Sequence, residues 1–178
     1  VFDEIFVPQS VMDEINQELL DVGINSSKRA TIGRSKDGYY SYEFSDEDIL
    51  NHRKFLLRLK EFITSKTTVV PVSEALSIDK QRLSEFSKVL GDSALDSILV
   101  AKEKDALLYA DDLAINEIAK NDWDVGSIWT QIIVSYLRQN DLLSENEYHE
   151  KIFKLVIANY EFLTYQLGNF IWAIEHNS

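Results

Sequence analysis

Asp105-Ala106-Leu107-Leu108-Tyr109-Ala110-Asp111-Asp112-Leu113-Ala114-Ile115 runs a short apolar segment directly into two adjacent carboxylates. Ala106–Tyr109 is too short for a helix and is bounded by charge, which suits a buried central strand. From Leu113 the apolar spacing changes to Leu113, Ile115, Ile118 and Ala119, which predicts a helix beginning at or just after Asp112. In a parallel α/β sheet, ligands bind beyond the carboxyl ends of strands, and Asp111 and Asp112 would stand there. Asp is also a preferred N-cap, stabilised by the unpaired N–H groups and the macrodipole of a helix start, so capping accounts for one of the pair. Two together exceed what capping needs, and like charges so close repel unless a cation or a proton is shared.

Upstream, Ile5-Phe6-Val7 forms a short apolar run stopped by Pro8, which can open a helix at its first turn. Val11, Ile15, Leu19 and Leu20 then recur at helical spacing, so Pro8–Leu20 reads as an amphipathic helix with Glu14 about one turn into it. A charged residue at such a place is ordinarily plain helix surface. Lys28–Phe44 differs in kind. Strand-like segments flank Ser35-Lys36-Asp37-Gly38, a strong hairpin signal, and Lys28, Arg29, Arg34 and Lys36 make a dense basic cluster. Charges there protect an edge strand from pairing, or form an arm that touches phosphates.

Ser45-Asp46-Glu47-Asp48 has the capping-box pattern for a helix bearing Ile49, Phe55, Leu56, Leu59 and Phe62, and Thr67–Val72 is β-branched enough for a strand. Ser77 or Asp79 can cap a helix that Gly91 stops. The next helix starts near Asp92 or Ser93, with Asp92 and Asp96 four apart and hence on one face. Beyond the central stretch the chain reads as helix throughout. Val125, Ile128, Trp129, Ile132, Ile133, Tyr136 and Leu137 form one stripe expected to be core, Ser144–Glu147 opens a further helix, and Gly168 divides that from a last segment carrying Phe170, Ile171, Trp172 and Ile174. That last segment is apolar on more than one side, which predicts packing on another copy of the chain or on an upstream part.

At 178 residues and 45% hydrophobic, the chain can bury the core of one domain, and none of its apolar runs reaches the roughly 20 residues needed to span a bilayer. A soluble, cytoplasmic protein is expected. With no cysteine, disulfides, thiolate catalysis and zinc-thiolate sites are excluded, and His52, His149 and His176 have no metal-binding spacing. The net charge of −12 argues against a broad nucleic-acid surface, since that binding comes mainly from cations neutralising phosphates. The chain begins with Val1 and almost at once with an apolar segment, as a piece of a longer protein would.

Strand, helix, helix and strand in this order, with acidic residues at the relevant ends, resemble the PIN-domain family of metal-dependent nucleases. The matching pieces are Ile5-Phe6-Val7-Pro8-Gln9-Ser10-Val11-Met12-Asp13-Glu14-Ile15 and Asp96–Leu113. Leu108-Tyr109-Ala110-Asp111-Asp112-Leu113, followed by Trp129-Thr130-Gln131 and Tyr148, is similar to a subgroup found at the C-terminal end of large bacterial proteins with helical repeats.

The resemblance implies a single α/β domain over 1–178, a PIN-like three-layer sandwich with a mostly parallel sheet. Ile5–Val7 and Ala106–Tyr109 would lie side by side or nearly so, with an inserted β-hairpin and a helical C-terminal extension over 125–178. It implies Glu14, Asp96, Asp111 and Asp112 as an acidic cluster around Mg²⁺ or Mn²⁺, with Asp92 as the alternative to Asp96, and RNA hydrolysis as the activity. Such hard cations need only a few carboxylates, and can orient a water and stabilise charge on phosphoryl oxygens. Lys28, Arg29, Arg34 and Lys36 would touch the nucleic acid, and other domains of a longer chain or a second copy would be partners. The family's first strand, ending in an Asp, has no counterpart upstream of Ile5. Either it belongs to a preceding part of the protein, or this branch is a catalytically silent interaction module.

Overall fold

The computed structural model describes residues 2–24, 30–35, 38–160 and 163–176. It is a mixed α/β structure, mostly helical, with parallel strands in short pairs. The chain divides into two compact units, Val1–Glu103 and Lys104–Ser178.

In the first unit β1 (Phe6–Pro8) runs directly into α1 (Gln9–Ile24). β1 pairs in parallel with β4 (Thr68–Val70), Phe6 opposite Thr68 and Pro8 opposite Val70. Between them come β2 (Ala30–Ser35) and β3 (Gly38–Glu43), which pair antiparallel from Ala30–Glu43 to Ser35–Gly38. Lys28, Arg29 and Lys36 lie outside the described residues, as does the side chain of Arg34. α2 (Asp46–Lys66) opens on the Ser45–Asp48 capping box. A 3-10 turn (Glu74–Ser77) precedes α3 (Lys80–Leu90), which Asp79 caps by accepting from the Gln81 and Arg82 N–H groups.

α4 (Asp92–Glu103) is the element on which this unit packs: β1, α1, α3 and the 3-10 turn all rest against it. Leu95, Ile98, Leu99, Val100 and Ala101 are buried, a wider apolar arc than a helix with one solvated face would carry. Ile15 and Val22 of α1 and Leu56 and Ile63 of α2 complete the buried set. α3 and α4 are joined by Gly91 alone, whose φ of 82° and ψ of 160° lie in a region open almost only to glycine.

In the second unit β5 (Leu108–Tyr109) pairs in parallel with β6 (Ser127–Ile128), and α5 (Leu113–Trp123) is the crossover between them. The hydrogen-bonded neighbour of β1 is thus β4, and that of β5 is β6. The single helical stripe expected from Val125 is corrected. Asp124, left-handed at φ 55°, ends α5, and Val125–Trp129 runs extended, the Gly126 carbonyl accepting from the Leu108 N–H at 2.9 Å. Apolar spacing alone cannot separate a two-residue strand from a helical turn.

α6 (Thr130–Gln139) buries Gln131 and Val134, whereas Ile132 and Tyr136 of the stripe are exposed. α7 (Glu145–Ile157) begins at the Ser144–Glu147 capping box, and its Tyr148 and Ile152 close a cluster with Val134, Leu143 and Leu155. Gly168 is not the divider it was expected to be: it lies inside α8 (Leu167–His176), and the break falls after α7, where Asn159 takes φ 54°.

Two stability measurements check this packing. Gly91→Ala forces a side chain into a strained conformation and is expected to cost about 1–3 kcal/mol in urea unfolding. Ile152→Ala, at a fully buried position, is expected to cost about 2–5 kcal/mol, and Ile132→Ala under about 1 kcal/mol. Equal losses at Ile152 and Ile132 would mean that the stripe is core after all.

Candidate functional site

The acidic residues singled out in the sequence fall into two groups, one in each unit. In the first unit Glu14, in the second turn of α1, accepts a hydrogen bond from the Ser93 hydroxyl at the start of α4. Asp92, the first residue of α4, accepts from the Ser87 hydroxyl of α3. A carboxylate there is also favoured by the helix macrodipole. Asp96 follows Ser93 by three residues, on the same face, half-buried and with no hydrogen-bond or ion-pair partner among the described residues. Glu14 and the acidic face of α4 are therefore joined through Ser93.

In the second unit Asp111 and Asp112 stand just past the end of β5, as the switch from strand to helix predicts. Asp112 is the N-cap of α5: one carboxylate oxygen accepts from the Ala114 N–H at 2.8 Å and the Ile115 N–H at 3.1 Å. Asp111 is held quite differently. Its Oδ1 accepts from the Thr130 N–H at 2.8 Å and from the Tyr160 hydroxyl. Its Oδ2 accepts from the Thr130 hydroxyl at 2.6 Å and lies 3.2 Å from the Tyr109 hydroxyl, which also contacts Thr130 Oγ1 at 2.7 Å. An ionised carboxylate offers about four lone-pair sites, and four protein donors surround this one.

The titration of the cluster follows from that geometry. Partial burial works to raise the Asp111 pKa, but the hydrogen bonds from Thr130, Tyr160 and Tyr109 outweigh it and hold the carboxyl below its ordinary value. Burial and donation to the Asp111 carboxylate push the Tyr160 phenol up to about 12. Tyr109 is raised by burial and by the neighbouring Asp111 charge. Among the described residues, the cluster is one anion held by neutral donors.

Thr130 is reached because β6 ends at Ile128 and α6 begins at once, aiming its first N–H at the end of β5. Tyr160 arrives from the segment after α7, which the Gln131 side chain also holds, donating to the Thr164 carbonyl at 2.7 Å and accepting from its N–H at 2.9 Å. The sequence carries no local signal for Tyr160. Thr130 had one, a hydroxyl residue just before a helical repeat. Among the described residues, no three His, Asp or Glu side chains are grouped so as to hold a metal ion.

No curated protein and no solved structure matches the chain. Its sequence does match, over residues 1–121, the family described as the PIN domain associated with the TPR-GreAB-C-PIN system. The matched stretch holds Glu14, Asp92, Asp96, Asp111 and Asp112 and stops short of Thr130 and Tyr160. Since the match takes in well over half of the 178 residues, this chain belongs to that family of PIN domains.

Proposed function

We propose that this PIN domain works as a non-cleaving interaction module, a cytoplasmic part of a larger assembly. Its family belongs to a multi-domain system with TPR and Gre domains, and family membership carries the proposal of the three-layer sandwich with Ala30–Glu43 as an inserted hairpin. The observation behind the functional reading is the state of the acidic pair. PIN domains generally use divalent metals, and a Mg²⁺ or Mn²⁺ ligand must offer open oxygen lone pairs. Asp111 has its acceptor sites filled by protein donors and Asp112 spends one oxygen as a cap, so as they stand the pair leaves a cation little more than Asp112 Oδ2.

Exposed apolar surface supports the same reading. Phe170, Ile171 and Ile174 of α8 are 55%, 48% and 72% exposed, more than a solvated terminal helix needs. A second copy of the chain or another part of a longer protein would cover them. Among the described residues no helix is long and apolar enough to cross a membrane, so a transmembrane role for this face has no support there.

The second reading is hydrolysis of RNA dependent on Mg²⁺ or Mn²⁺, with Glu14, Asp96, Asp111 and Asp112 as ligands and Lys28, Arg29, Arg34 and Lys36 toward the phosphates. What favours it is the placing of Glu14 beside the acidic face of α4, with Asp96 unengaged.

One comparison separates the two. If Asp111 is a strut, Asp111→Asn presents an amide to four donors and costs about 1–3 kcal/mol even in a chelator. Millimolar Mg²⁺ or Mn²⁺ then leaves the melting temperature of the unaltered chain where it was. A metal ligand behaves in the opposite way: neutralising it relieves repulsion in the metal-free protein and removes stabilisation by the ion. Cleavage of single-stranded RNA that requires Mg²⁺ and vanishes in Glu14→Gln would overturn the module reading outright.

A further inference from the structure

α2 is the longest helix among the described residues, and it buries only Leu56 and Ile63. About 100° round the helix from these two, Phe55 and Phe62 are 52% and 50% exposed. They are seven residues apart, so they lie nearly in line and about 10 Å from each other along the axis. Arg58 sits between them at i+3 and i−4, and Lys54 and Lys66 flank the row. Past its first turn the helix carries Arg53, Lys54, Arg58, Lys60 and Lys66 against the single carboxylate Glu61. Lys60 donates to Asn16 at 2.7 Å, but Lys54, Arg58 and Lys66 have no ion-pair partner among the described residues. In a chain of net charge −12 this face is both cationic and apolar.

We infer that the Phe55–Arg58–Phe62 face of α2 is a docking surface for an acidic amphipathic helix. Resting on the interaction-module reading, this names the chemistry of one partner. Charge selects for acid: three unpaired cations on one face attract carboxylates locally, against a net charge that otherwise disfavours them. The spacing selects for a helix. Two aromatic anchors two turns apart match apolar residues at i, i+3, i+4 and i+7 of an opposing helix, and long basic side chains between them cover its edges. The TPR part of the family's system is built of helical repeats, so helical surfaces are at hand there. Single-stranded RNA could also use stacking rings beside cations, but it carries no apolar row at i, i+3, i+4 and i+7 to match two rings two turns apart.

Fluorescence anisotropy tests this with three labelled probes on the unaltered chain. They are a synthetic helix with leucine at i, i+3, i+4 and i+7 and glutamate elsewhere, the same helix with lysine for glutamate, and oligouridylate. The glutamate helix is expected to bind, more weakly as salt rises, and the lysine helix is not. Arg58→Glu, and separately Phe55→Ser with Phe62→Ser, should each weaken binding by about tenfold or more. All three residues face solvent, so an unchanged melting temperature shows that the variants fold. Failure of the glutamate helix to bind, equal binding of the lysine helix, or tighter binding of oligouridylate that Arg58→Glu abolishes would each overturn the inference. Metal-dependent stabilisation and RNA cleavage, measured on the same samples, report on the module reading independently.

Discussion

Around the carboxylate of Asp111 meet the end of β5, the first N–H of α6 and the segment that follows α7. None of these contacts is apolar, yet they decide how the second unit closes. β5 and β6 supply only a two-residue parallel ladder, which on its own is too short to fix an orientation. The ion extends that ladder sideways by binding both the backbone and the hydroxyl of Thr130. Hydrogen bonds to a charged acceptor are stronger than neutral ones. Every described donor is neutral, so none of them brings a charge of its own to desolvate. Gln131, one residue further along α6, repeats the device by pairing with both backbone groups of Thr164.

The same placement beyond a strand end serves two opposite chemistries, and the surrounding donors decide between them. A carboxylate that faces solvent and other carboxylates is held apart from them only by a cation. One that faces hydroxyls and N–H groups needs none, and its proton affinity falls for that reason alone. Asp111 is of the second sort, and the partners responsible, Thr130 and Tyr160, lie beyond the stretch that carries the family match. The acids of the first unit are less committed: Glu14 and Asp92 each accept from one serine hydroxyl, and Asp96 from no described group. The two acidic groups are therefore not chemically equivalent, although in the sequence they look alike.

Local features were the legible ones. The Ser45 and Ser144 capping boxes, the stop at Gly91 and the helix start at Asp112 all rest on interactions within four residues, which a sequence displays directly. The family was legible too, from the runs around Glu14 and Asp111. What was not legible depended on partners distant in the chain. Val125–Trp129 became extended because β5 offered it a ladder, and Val134 instead of Ile132 faced the interior because Tyr148 and Ile152 lie on that side of α6. The role of Asp111 needed Tyr160, and a tyrosine in an irregular segment announces nothing. Side chains of the expected basic arm fall largely outside the described residues, so its reading stays where the sequence left it.

Charge shows how these parts can belong to one function. Thirty acidic residues against eighteen basic ones would repel most acidic partners. Several of the acids are engaged locally, as caps at Asp48, Asp79, Asp112 and Glu147 or by hydroxyl and N–H donors at Asp111. The cations are distributed less evenly, with five of them on the later turns of α2 alone. Carboxylates engaged at helix ends, and unpaired cations beside exposed phenylalanines, are the charge arrangement that the proposed module would use to hold a partner in one orientation. The proposed alternative, cleavage, would instead draw on carboxylates left open, of which Asp96 beside Ser93 and Glu14 is one the fold supplies.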